Sequence, residues 1–197
     1  NAVPDTFRKD REIVLAAVSA RHGNALEYAW EFRMNRKIVL AAVRANGHAL
    51  LFTTVLEDDH EVVMAAVRQN GGALQYASDR LRNRRDIVLA AVGSNGYALN
   101  YTSLRCSNDR EVISAAVRTH GLALKYASQT LRHDHEIIRT AIDNDRHALK
   151  YVPEELRWMY RRAGPKEMRL LFKYMAFPYN LPDELIATHI LPHCHRE

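Results

Sequence analysis

With 197 residues, a formal net charge of +5 and a pI near 9.3, the chain is long enough for one or two domains and only mildly basic. Hydrophobic residues make up 47% and charged residues 26%, a balance that excludes a disordered chain. No run reaches the ~18 consecutive apolar residues of a membrane span. Two cysteines, Cys106 and Cys194, exclude a disulfide framework and point to an intracellular, reducing compartment, cytoplasm or organelle.

The chain starts at Asn1 rather than Met, and Val3-Pro4-Asp5-Thr6-Phe7-Arg8 matches Val152-Pro153-Glu154-Glu155-Leu156-Arg157 position by position. The first residues are therefore expected to be the tail of a truncated repeat. An Ala-Ala-Val core then recurs at Ala16, Ala41, Ala65, Ala90 and Ala115, and degraded at Thr140-Ala141-Ile142, with a period of 24 or 25 residues. Such a period marks a stacked array rather than a globular enzyme.

Residues 108–132 illustrate one unit. Asn108 with Glu111 reads as a capping-box pair opening helix A, as do Asn83 with Asp86 and Asp58 with Glu61. Val112, Ile113, Ala116 and Val117 share one face of that helix. Gly121, with Gly23, Gly47, Gly71 and Gly96 before it, is expected to end helix A in a left-handed conformation. The sixth unit has Arg146 there, so its turn is expected to differ. Helix B follows, with Ala123, Leu124, Ala127 and Leu131 on one face. Neither helix reaches the ~12–15 residues needed for stability alone, so each must bury its stripe on its neighbours. Cys106 stands where other units place Leu81 and Leu131, and reads as a small buried hydrophobe. One residue inserted before Gly23, and one lost after each of Tyr28 and Phe52, should fall in turns.

After Arg157 the pattern stops. Trp158-Met159-Tyr160 is followed by Gly164-Pro165, a helix expected at about 166–175, Pro178, Pro182 and a further short helix at about 183–191. The expected organisation is all-α: an α-solenoid of about six helix-turn-helix repeats over 1–157, and C-terminal capping helices and tail over 158–197.

With units such as Asp109-Arg110-Glu111-Val112-Ile113-Ser114-Ala115-Ala116-Val117-Arg118 and Gly121-Leu122-Ala123-Leu124-Lys125-Tyr126-Ala127-Ser128, the chain resembles a tandem helical-repeat family classed as a domain of unknown function. That family is common in algae and other protists and occurs in some intracellular bacterial proteins. The resemblance spans about residues 3–157. It implies a helical repeat and carries no chemistry, cofactor or catalytic residue with it.

Stacking turns equivalent positions into columns. One column, Asn24, His48, Gly72, Tyr97, Leu122 and His147, varies at the turn before helix B, as a partner-reading surface would. A second, Leu15, Leu40, Met64, Leu89, Ser114 and Arg139, lies about 130° from the centre of the core stripe of helix A. If exposed, its apolar part, flanked by Arg44 and Arg68, is a protein-docking strip; otherwise it packs between neighbouring A helices. The third is aromatic: Tyr28, Phe52, Tyr76, Tyr101, Tyr126 and Tyr151, with Arg33, Arg82, Arg132 and Arg157 nearby. Half-buried rings and arginines on a helix C-terminus account for it, and stacked bases with paired phosphates are the alternative. Glu57 and Ser107 interrupt the arginine column, which ranks the nucleic-acid reading below protein binding.

Asp59-His60-Glu61 and Asp134-His135-Glu136 suggest metal ligands at first sight, but consecutive residues diverge around a helix, and capping is the better account. His189, His193, Cys194 and His195 in the tail suit zinc in type but not in spacing. No nucleophile–base constellation or phosphate-cradling loop stands out. The expected function is a non-catalytic protein–protein interaction scaffold, adaptor or peripheral subunit without cofactors. Leu15, Leu40, Met64, Leu89, Arg44, Arg68, His48, Tyr97 and His147 are the expected contact residues. Single-stranded nucleic-acid binding is the alternative, and a metal site in the tail ranks below both.

Overall fold

The computed structural model describes residues 10–20, 23–53, 55–103 and 105–162. The zinc-type residues and expected capping helices of the tail lie outside them. The chain divides into two units, Asn1–Tyr151 and Val152–Glu197. In the first, six A helices follow one another: α1 (Arg11–Ser19), α2 (Arg36–Ala45), α3 (His60–Gln69), α4 (Arg85–Ser94), α5 (Arg110–Thr119) and α6 (His135–Asn144). Each packs on the next, and no strand occurs among the described residues. In the second unit α7 (Glu154–Arg162) runs unbroken across Arg157, where the sequence pattern stops.

The expected core is the observed one. Val112, Ile113, Ala116 and Val117 are buried, as are Ala123, Leu124, Ala127, Leu131 and Cys106. Burial pushes the Cys106 thiol above its ordinary range, as suits a packing residue rather than a nucleophile.

Helix B differs from expectation. It is a six-residue 3-10 helix, seen at Gly47–Phe52, Gly71–Tyr76, Gly96–Tyr101, Gly121–Tyr126 and Arg146–Tyr151. In the fifth unit the chain turns extended at Ala127, and Leu131 returns in a separate turn, Leu131–His133. Asn46, Asn70 and Asn95 cap these helices by accepting from the N–H two residues on.

The caps of helix A also fall one residue later than the sequence reading. Asp59, Asp109 and Asp134 each accept the N–H groups of the second and third helical residues, and Asp10 and Asn35 do the same. Asp58 and Asn108 instead end the preceding turn, and their side chains reach into the next repeat. Asp58 accepts from Ser78 Oγ and from Arg80 Nε at 3.0 Å. Asn83 accepts from the Ser103 N–H at 2.9 Å, and Asn108 from Ser128 Oγ at 3.0 Å.

The glycines serve a purpose other than the expected one. None of Gly47, Gly71, Gly96 and Gly121 has a left-handed backbone. Arg146 at the sixth position follows the same backbone: Asp145 before it has φ −147° and ψ 113°, against −149° and 111° at Asn70. The turn therefore does not differ. What glycine provides is proximity. A Cβ on Gly47, Gly71, Gly96 or Gly121 would stand 2.5, 2.2, 2.4 or 2.2 Å from the carbonyl oxygen of Ala66, Ala91, Ala116 or Ala141 in the next repeat. The glycine N–H groups are also met from that repeat, by Gln69 Oε1 (2.6 Å), Ser94 Oγ (3.1 Å), His120 Nδ1 (3.3 Å) and Asn144 Oδ1 (2.7 Å).

A charged ladder fixes the opposite ends of the A helices from α2 to α6. Arg36 donates to Asp59 (2.8 Å) and Glu61 (2.5 Å), Arg85 to Asp109 (2.8 Å) and Glu111, and Arg110 to Asp134 (2.9 Å) and Glu136 (2.6 Å). Between α3 and α4 the rung is His60 Nε2 to Asp86 Oδ2, 2.8 Å. The Asp-His-Glu triplet at Asp59 thus splits into a cap, a rung to the next repeat and a rung to the previous one.

Two outcomes follow for stability. Gly71→Ala forces a methyl group onto a fixed carbonyl and should cost about 1–3 kcal/mol. Gly93→Ala, in α4 with nothing within 4 Å of the added carbon, should gain up to ~1 kcal/mol of helix propensity. Chemical denaturation of the two variants checks both signs.

The second concerns acid. The Arg36 and Arg85 guanidiniums hold Asp59 and Asp109 below the usual carboxylate range, helped by the capped N–H groups. For Asp134 burial pushes upward, but Arg110 and the backbone donors outweigh it. Their contribution is present above the unfolded-state carboxylate value of about 3.9 and is lost as pH falls through the lower folded values. Urea titrations across this range should show stability falling on acidification. In Arg85→Gln plus Arg110→Gln that fall should be shallower.

Candidate functional site

Two surfaces run along the first unit. On the helix A side the apolar column does not form a continuous exposed strip. Leu15 in α1 is 40% exposed, but Leu40 is 8% exposed, and Met64 and Leu89 are half-buried. Neighbouring A helices close over these side chains. Where the column turns polar the filling is lost, and an open groove lies between α5 and α6, lined by Ser114, Arg118, Ile137 and Thr140 among others. Arg44 and Arg68 are exposed, with Arg44 3.9 Å from Glu61.

The 3-10 side is continuous. His48 meets Tyr76 of the next repeat edge-on, with ring centroids 5.8 Å apart. Tyr97 lies 4.5 Å from His120. The Lys125 ammonium sits over Tyr126 at 4.5 Å and reaches Tyr97 at 6.0 Å, and the Lys150 ammonium sits over Tyr151 at 4.8 Å. Tyr126, foremost among its neighbours, holds Lys125 above the ordinary lysine range. The Tyr126 hydroxyl donates to Asn100 Oδ1 at 3.2 Å, again across a repeat boundary. His147 is exposed and bonded to Asp145.

Of the arginines near the aromatic column, Arg33 and Arg157 are turned to the backbone, and Arg82 pairs with the Asp79 carboxylate. Arg33 donates to the carbonyl of Glu27 at 2.6 Å and lies over Phe52, and Arg157 donates to Val152 at 2.8 Å. The rings from Phe52 to Tyr151 are half-buried, as the structural account of that column expects.

The sequence reading missed a cluster in the first two repeats. Among the described residues nine large hydrophobic side chains are exposed, and seven of them lie between 13 and 55: Ile13, Leu15, Tyr28, Trp30, Met34, Leu51 and Val55. Trp30, Met34 and Val55 are 65%, 68% and 58% exposed. Met34 and Val55 occupy the positions that hold the Asp58–Arg80 ion pair one repeat later. Comparing those positions between repeats was the available signal.

The family described as Domain of unknown function (DUF4116) matches residues 10–54, 59–105 and 109–157. Each match covers two of the short repeats. No curated protein and no solved structure matches the chain.

The burial difference within one column is directly testable. Leu40→Glu puts a carboxylate where helices close over it and should lower the unfolding midpoint sharply, whereas Leu15→Glu should leave it within about 0.5 kcal/mol of the parent. Circular dichroism during urea unfolding distinguishes the two.

Proposed function

The chain belongs to that family of helical repeats of unknown function, and on this footing we propose that it is a non-catalytic protein-interaction scaffold or peripheral subunit working in a reducing compartment. The observation that carries this reading is the concentration of exposed Tyr28, Trp30, Met34, Leu51 and Val55 in the first two repeats. Large apolar side chains left exposed in neighbouring repeats favour a partner over water. Tryptophan, tyrosine and methionine are the types enriched at such contacts. Among the described residues no helix is long and apolar enough to cross a membrane, so a bilayer span does not account for them.

The docking residues are therefore Trp30, Met34 and Val55, with Leu15 exposed in the preceding helix, rather than Leu40, Met64 and Leu89. Affinity purification from the native source tests this by comparing the parent with Trp30→Ser plus Met34→Ser plus Val55→Ser. Stoichiometric partners should fall about tenfold or more while the helical spectrum stays unchanged. Equal recovery of every partner by the triple variant sinks the assignment.

A further inference from the structure

The 3-10 side changes character along the array. The residue before each aromatic is Glu27, Leu51, Gln75, Asn100, Lys125 and Lys150 in turn. Leu51 is 53% exposed. Gln75 Nε2 donates to the Gly72 carbonyl at 3.1 Å, which leaves its oxygen as an acceptor. Asn100 Oδ1 takes the Tyr126 hydroxyl, which leaves its amide N–H groups as donors. Lys125 and Lys150 are exposed, and Lys125 meets no carboxylate among the described residues. The last two 3-10 segments, Gly121–Tyr126 and Arg146–Tyr151, contain no acid, and Asp145, just before the second, is the carboxylate that feels the Lys150 charge. From the second repeat onward the face thus reads apolar, amide, amide, cation, cation, after an acid at Glu27 in the first.

We propose that this face binds an extended polypeptide segment of another protein, with an apolar side chain at Leu51 and acidic side chains at Lys125 and Lys150. The inference rests on the interaction-scaffold reading and names the chemistry of its partner. The Gln75 and Asn100 amides present one acceptor and one set of donors, the complement of a peptide backbone passing between the two ends. Gly72, in the turn column between His48 and Tyr97, leaves room for that backbone.

The spacing sets a register. Packed helices stand about 8–10 Å apart, so the three repeats from Leu51 to Lys125 span about 24–30 Å. An extended chain rises about 3.3 Å per residue, which puts the apolar and first acidic residues about seven to nine positions apart. A nucleic acid fits the face less well. The tyrosine rings are half-buried, and lysine ammoniums already cover Tyr126 and Tyr151. Stacking platforms for bases are therefore taken.

A random 16-residue peptide library displayed on phage, selected against the whole chain, tests the proposal. The enriched sequences should share an apolar residue and an acidic pair in that register. A synthetic peptide carrying the consensus should bind about tenfold more weakly to Lys125→Glu plus Lys150→Glu, about fivefold more weakly to Leu51→Ser, and progressively more weakly with added salt. Trp30→Ser plus Met34→Ser should leave its affinity within about twofold, because neither belongs to the column of residues preceding the aromatics.

Enrichment of basic or neutral peptides overturns the proposal. So does an acidic consensus whose affinity ignores Lys125 and Lys150, or tighter binding of a single-stranded oligonucleotide than of any selected peptide. Selected peptides that depend on Trp30 and Met34 alone would overturn it too, while leaving the scaffold reading in place.

Discussion

The approach of each inter-helix turn to the next A helix sets the spacing of this array. At 2.2–2.5 Å between a would-be Cβ and a carbonyl oxygen, any side chain at Gly47, Gly71, Gly96 or Gly121 would push the following repeat away. Everything else bridging the repeats depends on that distance. The Gln69, Ser94, His120 and Asn144 side chains reach the glycine N–H groups because the turn lies against their helix. Arg36, Arg85 and Arg110 span to two carboxylates each because the helix starts are held one packing distance apart.

The division of labour along one repeat is therefore sharp. The apolar stripe supplies most of the free energy, at about 1.5–3 kcal/mol for each fully buried Val, Leu or Ile. The arginine rungs are largely exposed and add little by comparison. Their role is in register, since a bidentate guanidinium accepts one arrangement of the two carboxylates and penalises a slip. His60 is the exception among the rungs. It meets one carboxylate where each arginine meets two, and the neighbouring α4 follows Arg84, whose side chain does not cap it. The junction of α3 and α4 is held instead by Asp58, which takes Ser78 Oγ and the Arg80 guanidinium from the segment before α4.

Much of this was legible from the residues. Periodicity identified the buried faces of both segments, and placed Cys106 in the core with Leu81 and Leu131. It could not identify the helix type, because Ala123, Leu124, Ala127 and Leu131 are compatible with one face of an α-helix and equally with a 3-10 turn followed by an extended step. Capping chemistry could not choose between Asn108 and Asp109, since both types cap. The structure selects Asp109 because Asn108 is still inside the preceding turn. Glycine was assigned to backbone freedom on frequency, whereas the reason lies in a carbonyl of another repeat, which a local reading cannot see. Leu40 escaped for the same cause: a helical wheel gives a direction, not the distance to the neighbour.

The repeat-to-repeat comparison that explains the core also shows where the surface departs from packing needs. The column holding Asp58, Asn83 and Asn108 is polar because those side chains tie one turn to the next. Met34 occupies that position in the first repeat and cannot make the same bond. Val55 faces it by equivalence in place of Arg80. The structure therefore gives up a polar tie between its first two repeats and leaves two large apolar side chains in water, 68% and 58% exposed, with Trp30 close by in sequence at 65%. Neither folding nor solubility gains from that exchange. The core beneath it, from Val39 and Leu50 to Val62, is as fully buried as in the later repeats, so the exchange is not a response to poor packing. A departure from the array's own pattern that costs a bond and exposes apolar surface is accounted for when a partner covers it.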